Sequence, residues 1–160
     1  MKKLFSLVLL ISMSNLCLSQ VTIKGVTLGD TLKGESVTST TLGGIDMAQQ
    51  IFTLNDGRIY LIAYTPCKDD CENVLRVYES DVTKIREGLA SKFGLKFRKT
   101  TEEYTENYKL NATNGDSVFL LTVKTNKFMD KPCELSIYVF SNSLYDVNNK
   151  EQQEKANTDF

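Results

Sequence analysis

Two turn signals constrain this chain more than any other feature. Asn55-Asp56-Gly57 separates residues 49–54 from residues 58–65, and Asn114-Gly115 separates residues 104–112 from residues 117–124. Each flank is rich in β-branched, aromatic and apolar side chains, and each turn supplies a residue that accepts a left-handed backbone. That combination predicts two antiparallel hairpins. Ile59-Tyr60-Leu61-Ile62-Ala63-Tyr64 is apolar at successive positions, which predicts a central strand covered on both faces. In residues 104–112, Tyr108, Leu110 and Ala112 alternate with Asn107, Lys109 and Asn111, which predicts one wet face. Residues 118–123 are nearly all apolar and predict a central strand, and residues 134–141 predict another.

Between the hairpins the period changes from two to about 3.6. Val82, Ile85, Leu89 and Phe93 make one apolar stripe, which predicts a helix over residues 81–93. Ser80 is the expected cap, Gly94 the left-handed stop, and Leu95 the residue that folds back on the helix. The stripe can be extended back through Tyr78, Leu75 and Val74 to Cys71, with residues 74–78 as a short strand in competition. Residues 20–46 hold five of the nine glycines and predict a short strand over 21–28, then turns or a loose edge. Residues 142–160 are polar, with Leu144, Tyr145 and Val147 as anchors, and predict a short helix and then disorder; 146–160 is set apart from the domain as a polar helix or disordered tail. The expectation is therefore an α+β fold: a mainly antiparallel sheet of five to six strands with one principal helix packed on a face. Residues 20–145 form its single domain.

The first nineteen residues have the three parts of a cleaved export signal. Lys2 and Lys3 form a positive start, residues 4–11 an apolar run, and residues 12–19 a more polar stretch. Cys17 and Ser19 are the small residues a signal peptidase requires, which places the cut between Ser19 and Gln20. The apolar run is too short for a membrane anchor, which needs about 20 apolar residues. Leu16 before Cys17 disfavours lipidation at that cysteine. The signal resembles bacterial export signals of the Bacteroidetes type, and the chain is expected in the periplasm or outside the cell. The mature chain is expected to carry no integral membrane span.

Cleavage removes two lysines and no acid, leaving 17 basic against 20 acidic side chains, a net charge of −3. That balance excludes a basic face for nucleic acid and a polybasic membrane patch. The disulfide candidates Cys67, Cys71 and Cys133 form an odd set in an oxidising compartment. Three pairings are open. Joining Cys133 to Cys67 or Cys71 closes the longer loop and is preferred, because a longer loop stabilises more.

A resemblance is carried by three pieces: Lys24-Gly25-Val26-Thr27-Leu28-Gly29, Asn55-Asp56-Gly57-Arg58-Ile59, and Leu89-Ala90-Ser91-Lys92-Phe93-Gly94. Together with the export signal they are similar to small uncharacterised exported proteins of Gram-negative bacteria. The resemblance implies an α+β fold and transfers no site.

No chemistry-bearing motif is complete. Gly29-Asp30-Thr31-Leu32-Lys33-Gly34-Glu35-Ser36 has P-loop spacing, but Glu35 stands where the phosphate-binding lysine belongs. Cys67-Lys68-Asp69-Asp70-Cys71-Glu72 lacks the histidine or regular oxygen ladder of a zinc or calcium site, and its cysteines are spaced one residue wider than a thioredoxin-type pair. It reads as a solvated acidic turn. With no histidine in the chain, Ser and Cys triads lose their usual base. Lys96, Arg98 and Lys99 beside Phe97 read as an exposed strand face, and Asn111-Ala112-Thr113 as a chance sequon. The seven tyrosines read as core or interface residues. No catalytic, cofactor or metal residue is assigned. The expected function is a non-enzymatic binding module whose partner is a protein or envelope component, held on a sheet face or edge. The alternative is a carboxylate-dependent hydrolase of envelope polymers.

Overall fold

The structure is a computed structural model that describes residues 21–68, 71, 73–94, 96–102, 105–111, 115–123 and 132–158. Residues 1–20, which include the expected export signal and its cut between Ser19 and Gln20, lie outside the described residues, as do Asp69, Asp70, Glu72, Leu95, Tyr104, Ala112, Thr113, Asn114 and Lys124 and the side chains of Tyr108 and Leu110.

Both expected hairpins are present, although residues 112–114 of the second turn lie outside the described residues. Strand β4 (Ile45–Thr53) meets β5 (Ile59–Lys68), and β8 (Thr105–Asn111) meets β9 (Asp116–Val123), both antiparallel. Gly57 closes the first turn at φ 85°, with the Leu54 N–H donating to Arg58 O at 2.9 Å. β10 (Glu134–Ser141) joins the two hairpins by pairing with β5 on one side and β9 on the other.

The α+β class with a mainly antiparallel sheet holds. Among the described residues the main sheet has eight strands, in the order β3-β4-β5-β10-β9-β8-β7, with the two-residue β6 (Asn73–Val74) paired to β5 off that path. β3 (Val37–Leu42) and β7 (Arg98–Glu102) form its two edges. β3 was expected only as turns or a loose edge because its Val-Thr-Ser-Thr-Thr-Leu run has little apolar alternation. Its pairing comes from the Gly43-Gly44 turn, at φ 60° and 84°, which folds it onto β4.

The strand expected over 21–28 is instead a separate two-stranded hairpin, β1 (Thr22–Ile23) and β2 (Val26–Thr27). Lys24 and Gly25 both have positive φ, 51° and 80°, so the chain reverses in the middle of that run.

Helix α1 (Glu79–Phe93) starts two residues earlier than expected. Tyr78 holds the cap position in place of Ser80, and its N–H donates to the Asp81 carboxylate at 3.4 Å. Glu79 and Asp81 set negative charge against the positive end of the helix. Gly94 stops it in the left-handed conformation, φ 66°, as expected. The helix does not extend back to Cys71, and residues 74–78 do not form one strand: Val74 ends β6 and Val77 makes an isolated bridge with Cys133. Val82, Ile85 and Leu89 pack with Met47, Ile51, Ile62, Tyr64, Ile137 and Val139 into one core on a single face of the sheet.

The C-terminal helix α2 (Asn142–Thr158) is not short. It starts at Asn142, where the polar stretch begins. None of its residues is buried, and it lies against the outer sheet face at the β4–β5 turn end. Among the described residues no helix is long and apolar enough to cross a membrane.

Candidate functional site

The pleat gives the sheet a filled face and an open one. Along β10, Leu135, Ile137, Val139 and Ser141 are buried, while Ser136, Tyr138 and Phe140 are half-buried. By register, Gln50, Ala63 and Tyr138 share one row of the outer face, and Phe52, Leu61 and Phe140 share the next. β5 is therefore central, as expected, but its outer face is only partly covered.

A β-bulge shapes that face. The pairing of β4 with β5 shifts between Phe52 and Thr53, leaving Tyr60 as an extra residue. Its ring sits between Phe52 and Tyr145, at centroid distances of 6.5 and 6.1 Å, and Tyr145 also meets Phe140 at 5.6 Å. Burial raises the Tyr60 phenol above its ordinary value, with Tyr145 and Glu151 adding to the effect. This cluster seats α2, helped by Glu151 and Lys155, which bond Asn55 at 3.2 Å each. The tyrosines read from the sequence only as core or interface residues, and the cluster is not visible there, because a bulge has no period to detect.

The cysteines pair within the local turn, which corrects the preference for Cys133. Cys67 and Cys71 form the disulfide, with Cα atoms 4.6 Å apart, and Cys133 is buried and lies outside it. The Cys71 N–H donates to Lys68 O at 3.1 Å, and Cys71 has φ 69°, so the chain doubles back at once. Cys133 is held elsewhere: it exchanges both backbone hydrogen bonds with Val77 (2.8 and 3.0 Å), and its thiol donates to Val77 O at 3.4 Å.

The residues with P-loop spacing form a turn, an isolated bridge at Thr31 and bends that lead into β3, with no helix behind them. Gly29 N–H donates to Ile59 O at 2.8 Å, Ile59 N–H to Asp30 O at 2.8 Å, and Leu32 N–H to Gly57 O at 3.1 Å. They line a cleft of about 460 Å³ whose described lining includes one carboxylate, Asp30, and one ammonium, Lys33. Asp56 is fully exposed, and its carboxyl is held below the ordinary value by the Arg58 N–H and guanidinium (3.0 and 2.7 Å). It forms a surface ion pair that shapes the hairpin turn. Asp116 is buried and accepts from the Val21 N–H at 3.3 Å, tying the first described residue to β9.

The two edges of the sheet differ in kind. β7 carries Arg98, Lys99 and Glu102, with Lys96, Arg98 and Lys99 exposed as expected. β3 carries no charge and no proline. Val37, Thr38, Ser39 and Thr41 are exposed, and the Val37 side chain, 55% exposed, stands in solvent. Natural sheets blunt an edge with charge, proline or a bulge, and β3 has none of the three. A second cleft, of about 320 Å³, lies where Ser39, Thr40 and Thr41 approach the disulfide turn, with Asp46 and Lys68 in its lining. Behind the edge, Thr38 Oγ1 donates to Gln49 Oε1 at 2.9 Å, and Gln49 Nε2 donates to the Tyr64 hydroxyl at 3.0 Å.

No family model, no curated protein and no solved structure matches this chain.

Proposed function

We propose that this is an exported, non-enzymatic binding module of the bacterial envelope, and that it receives an extended segment of a partner protein along β3. The observation that carries the reading is the contrast between the two sheet edges: one charged, the other an uncharged six-residue strand with exposed side chains. An unprotected edge presents a row of backbone donors and acceptors that a partner strand satisfies, while side-chain pockets give selectivity. Here the pocket is the Ser/Thr-lined cleft beside the disulfide turn. Export follows from the three-part N-terminal segment and accords with a disulfide in the mature chain.

The test is affinity capture from envelope extract with the mature chain, compared with Val37→Lys/Ser39→Lys. Both positions are exposed, so the variant is expected to fold with unchanged stability and to lose the captured protein. Capture that survives this variant refutes the edge reading. Turnover of an envelope polymer without any captured partner refutes the binding reading altogether. Intact mass of the exported protein checks the cut before Gln20, and retention of residues 1–19 refutes export.

A further inference from the structure

A second candidate site lies beside α1, at the Leu42 end of β3. A slot of about 170 Å³ opens between α1 and the two glycine-containing turns at Lys24-Gly25 and Gly43-Gly44. Its apolar lining includes Ile85 and Leu89, and its rim carries three exposed lysines, Lys24, Lys84 and Lys92. At 1.5 Å per residue, Lys84 and Lys92 stand about 12 Å apart along the helix, with Gly88 midway. Lys24 closes the rim from the turn of the β1–β2 hairpin. We propose that this slot binds a single-chain anionic amphiphile, with its apolar end against Ile85 and Leu89 and its carboxylate among the three ammonium groups.

Three independent observations converge on it. The first is charge. Lys84 makes a loose ion pair with Asp81, 3.8 Å, on an exposed helix surface. Among the described residues neither Lys24 nor Lys92 has an acidic partner, and no carboxylate lines the slot. Three like charges gathered around apolar surface in a chain of net negative charge are complementary to an anion with a tail.

The second is Gly88. Glycine in a helix interior is destabilising relative to alanine, and at Gly88 the backbone is ordinary helix. A Cβ placed there would meet nothing within 4 Å, so no neighbour forbids a side chain. The glycine keeps the middle of the slot open at a cost in helix stability.

The third is Lys24. It is one of two described non-glycine residues with positive φ, at 51°. The first central position of a two-residue turn with both φ positive favours asparagine or glycine, and lysine is strained there. Strain of this kind is retained where the residue has a task, and here it places an ammonium on the rim. The volume sets the size of the tail. At about 170 Å³ the slot is small, which suits the end of one acyl chain better than two.

The experiment titrates the mature chain with decanoate by calorimetry, with decanol, decyltrimethylammonium and inorganic phosphate as separate arms. Decanoate is expected to bind at least tenfold more tightly than any of the other three. Equal binding of decanol means apolar contact alone, and equal binding of phosphate means charge alone; either overturns the proposal. Gly88→Leu fills the slot with a better helix former, and Lys24→Asn relieves the turn. Each is expected to keep or raise the melting temperature while weakening decanoate at least tenfold. Decanoate affinity within twofold of wild type in both folded variants overturns the assignment.

Discussion

Replacing Gln49 by leucine cuts a polar connection that runs across three strands. Gln49 is 5% exposed and stands between Thr38 on β3 and Tyr64 on β5. Its amide oxygen accepts from the Thr38 hydroxyl and its amide nitrogen donates to the Tyr64 hydroxyl. A typical hydrogen bond contributes about 1 kcal/mol net, and a buried polar group left unpaired costs about 1–3 kcal/mol. Gln49→Leu removes both bonds and leaves the Tyr64 hydroxyl at zero exposure without its donor. The expected loss is about 2–3 kcal/mol, offset in part by apolar burial of the leucine. Tyr64→Phe leaves the Gln49 amide nitrogen unpaired instead, and its expected loss is about 1–3 kcal/mol. The double variant strands neither group, since Thr38 lies on the exposed edge and turns to water. It is therefore expected to be more stable than the sum of the single losses by about 1–2 kcal/mol. Urea unfolding of the four proteins measures this directly. Additivity within about 0.5 kcal/mol would refute the connection.

The same tyrosine gives the cycle a second readout. Burial pushes the Tyr64 phenol up to about 12, with the Gln49 hydrogen bond pulling the other way. In the unfolded chain tyrosine titrates near 10. The folded state thus favours the protonated, neutral phenol. Its contribution is whole below about pH 10 and is lost as pH rises from about 10 toward about 12. Two pH units at about 1.4 kcal/mol each set the loss at roughly 2–3 kcal/mol. Tyr64→Phe lacks this phenol, so its stability should fall less steeply over that interval. Equal alkaline slopes in the two proteins would remove Tyr64 as the cause.

Gly43→Ala is expected to destabilise by more than about 1 kcal/mol, because φ is 60° there and the new Cβ would sit 3.0 Å from Ile85 Cγ1. Gly88→Ala, on the same slot, should change stability the other way by about 0.5–1 kcal/mol; thermal melts of the pair separate turn strain from helix propensity. Asn142→Ala removes an acceptor of the buried Ser117 hydroxyl, 3.1 Å, and the donor to Gly115 O, so the first turn of α2 should loosen with a loss of about 1–3 kcal/mol, read by urea unfolding and by proteolysis near residue 142. Reducing Cys67–Cys71 should cost about 2 kcal/mol, against about 4 kcal/mol for a staple to Cys133. In the native oxidised protein Cys133 should resist alkylation and react once denatured, and rapid native labelling at one site would contradict its burial.

What could be read from the sequence follows the range of the forces involved. The Asn55-Asp56-Gly57 turn and the Val82, Ile85, Leu89 stripe are local, and both stand where their patterns put them. β3 was hidden because its partner, not its own side chains, makes it a strand: six of its residues pair with β4 across Gly43-Gly44. The cysteine pairing was missed for the opposite reason. Loop entropy favours the distant partner, but a left-handed Cys71 and the Val77–Cys133 bridge had already fixed where each sulfur lies. The candidate sites were hidden further still. The bulge at Tyr60, the uncharged edge and the three-lysine slot each depend on which elements become neighbours, and no window of sequence contains them.

The two candidate sites use the same economy of design in different ways. At β3, binding capacity comes from leaving out the charge that would have closed the edge; at the slot, it comes from Gly88, which withholds a side chain, and from Lys24, which holds one in a strained turn. Each choice lowers the stability or the solubility of the isolated fold, and none is required by the core formed by Ile62, Tyr64 and Ile137. Residues that oppose folding without serving the core are where function is to be sought. On that ground the two sites should respond separately. Lysines on β3 should abolish partner capture and spare decanoate binding, whereas Gly88→Leu should do the reverse. Loss of both activities in either variant would mean that one surface, and not two, carries them.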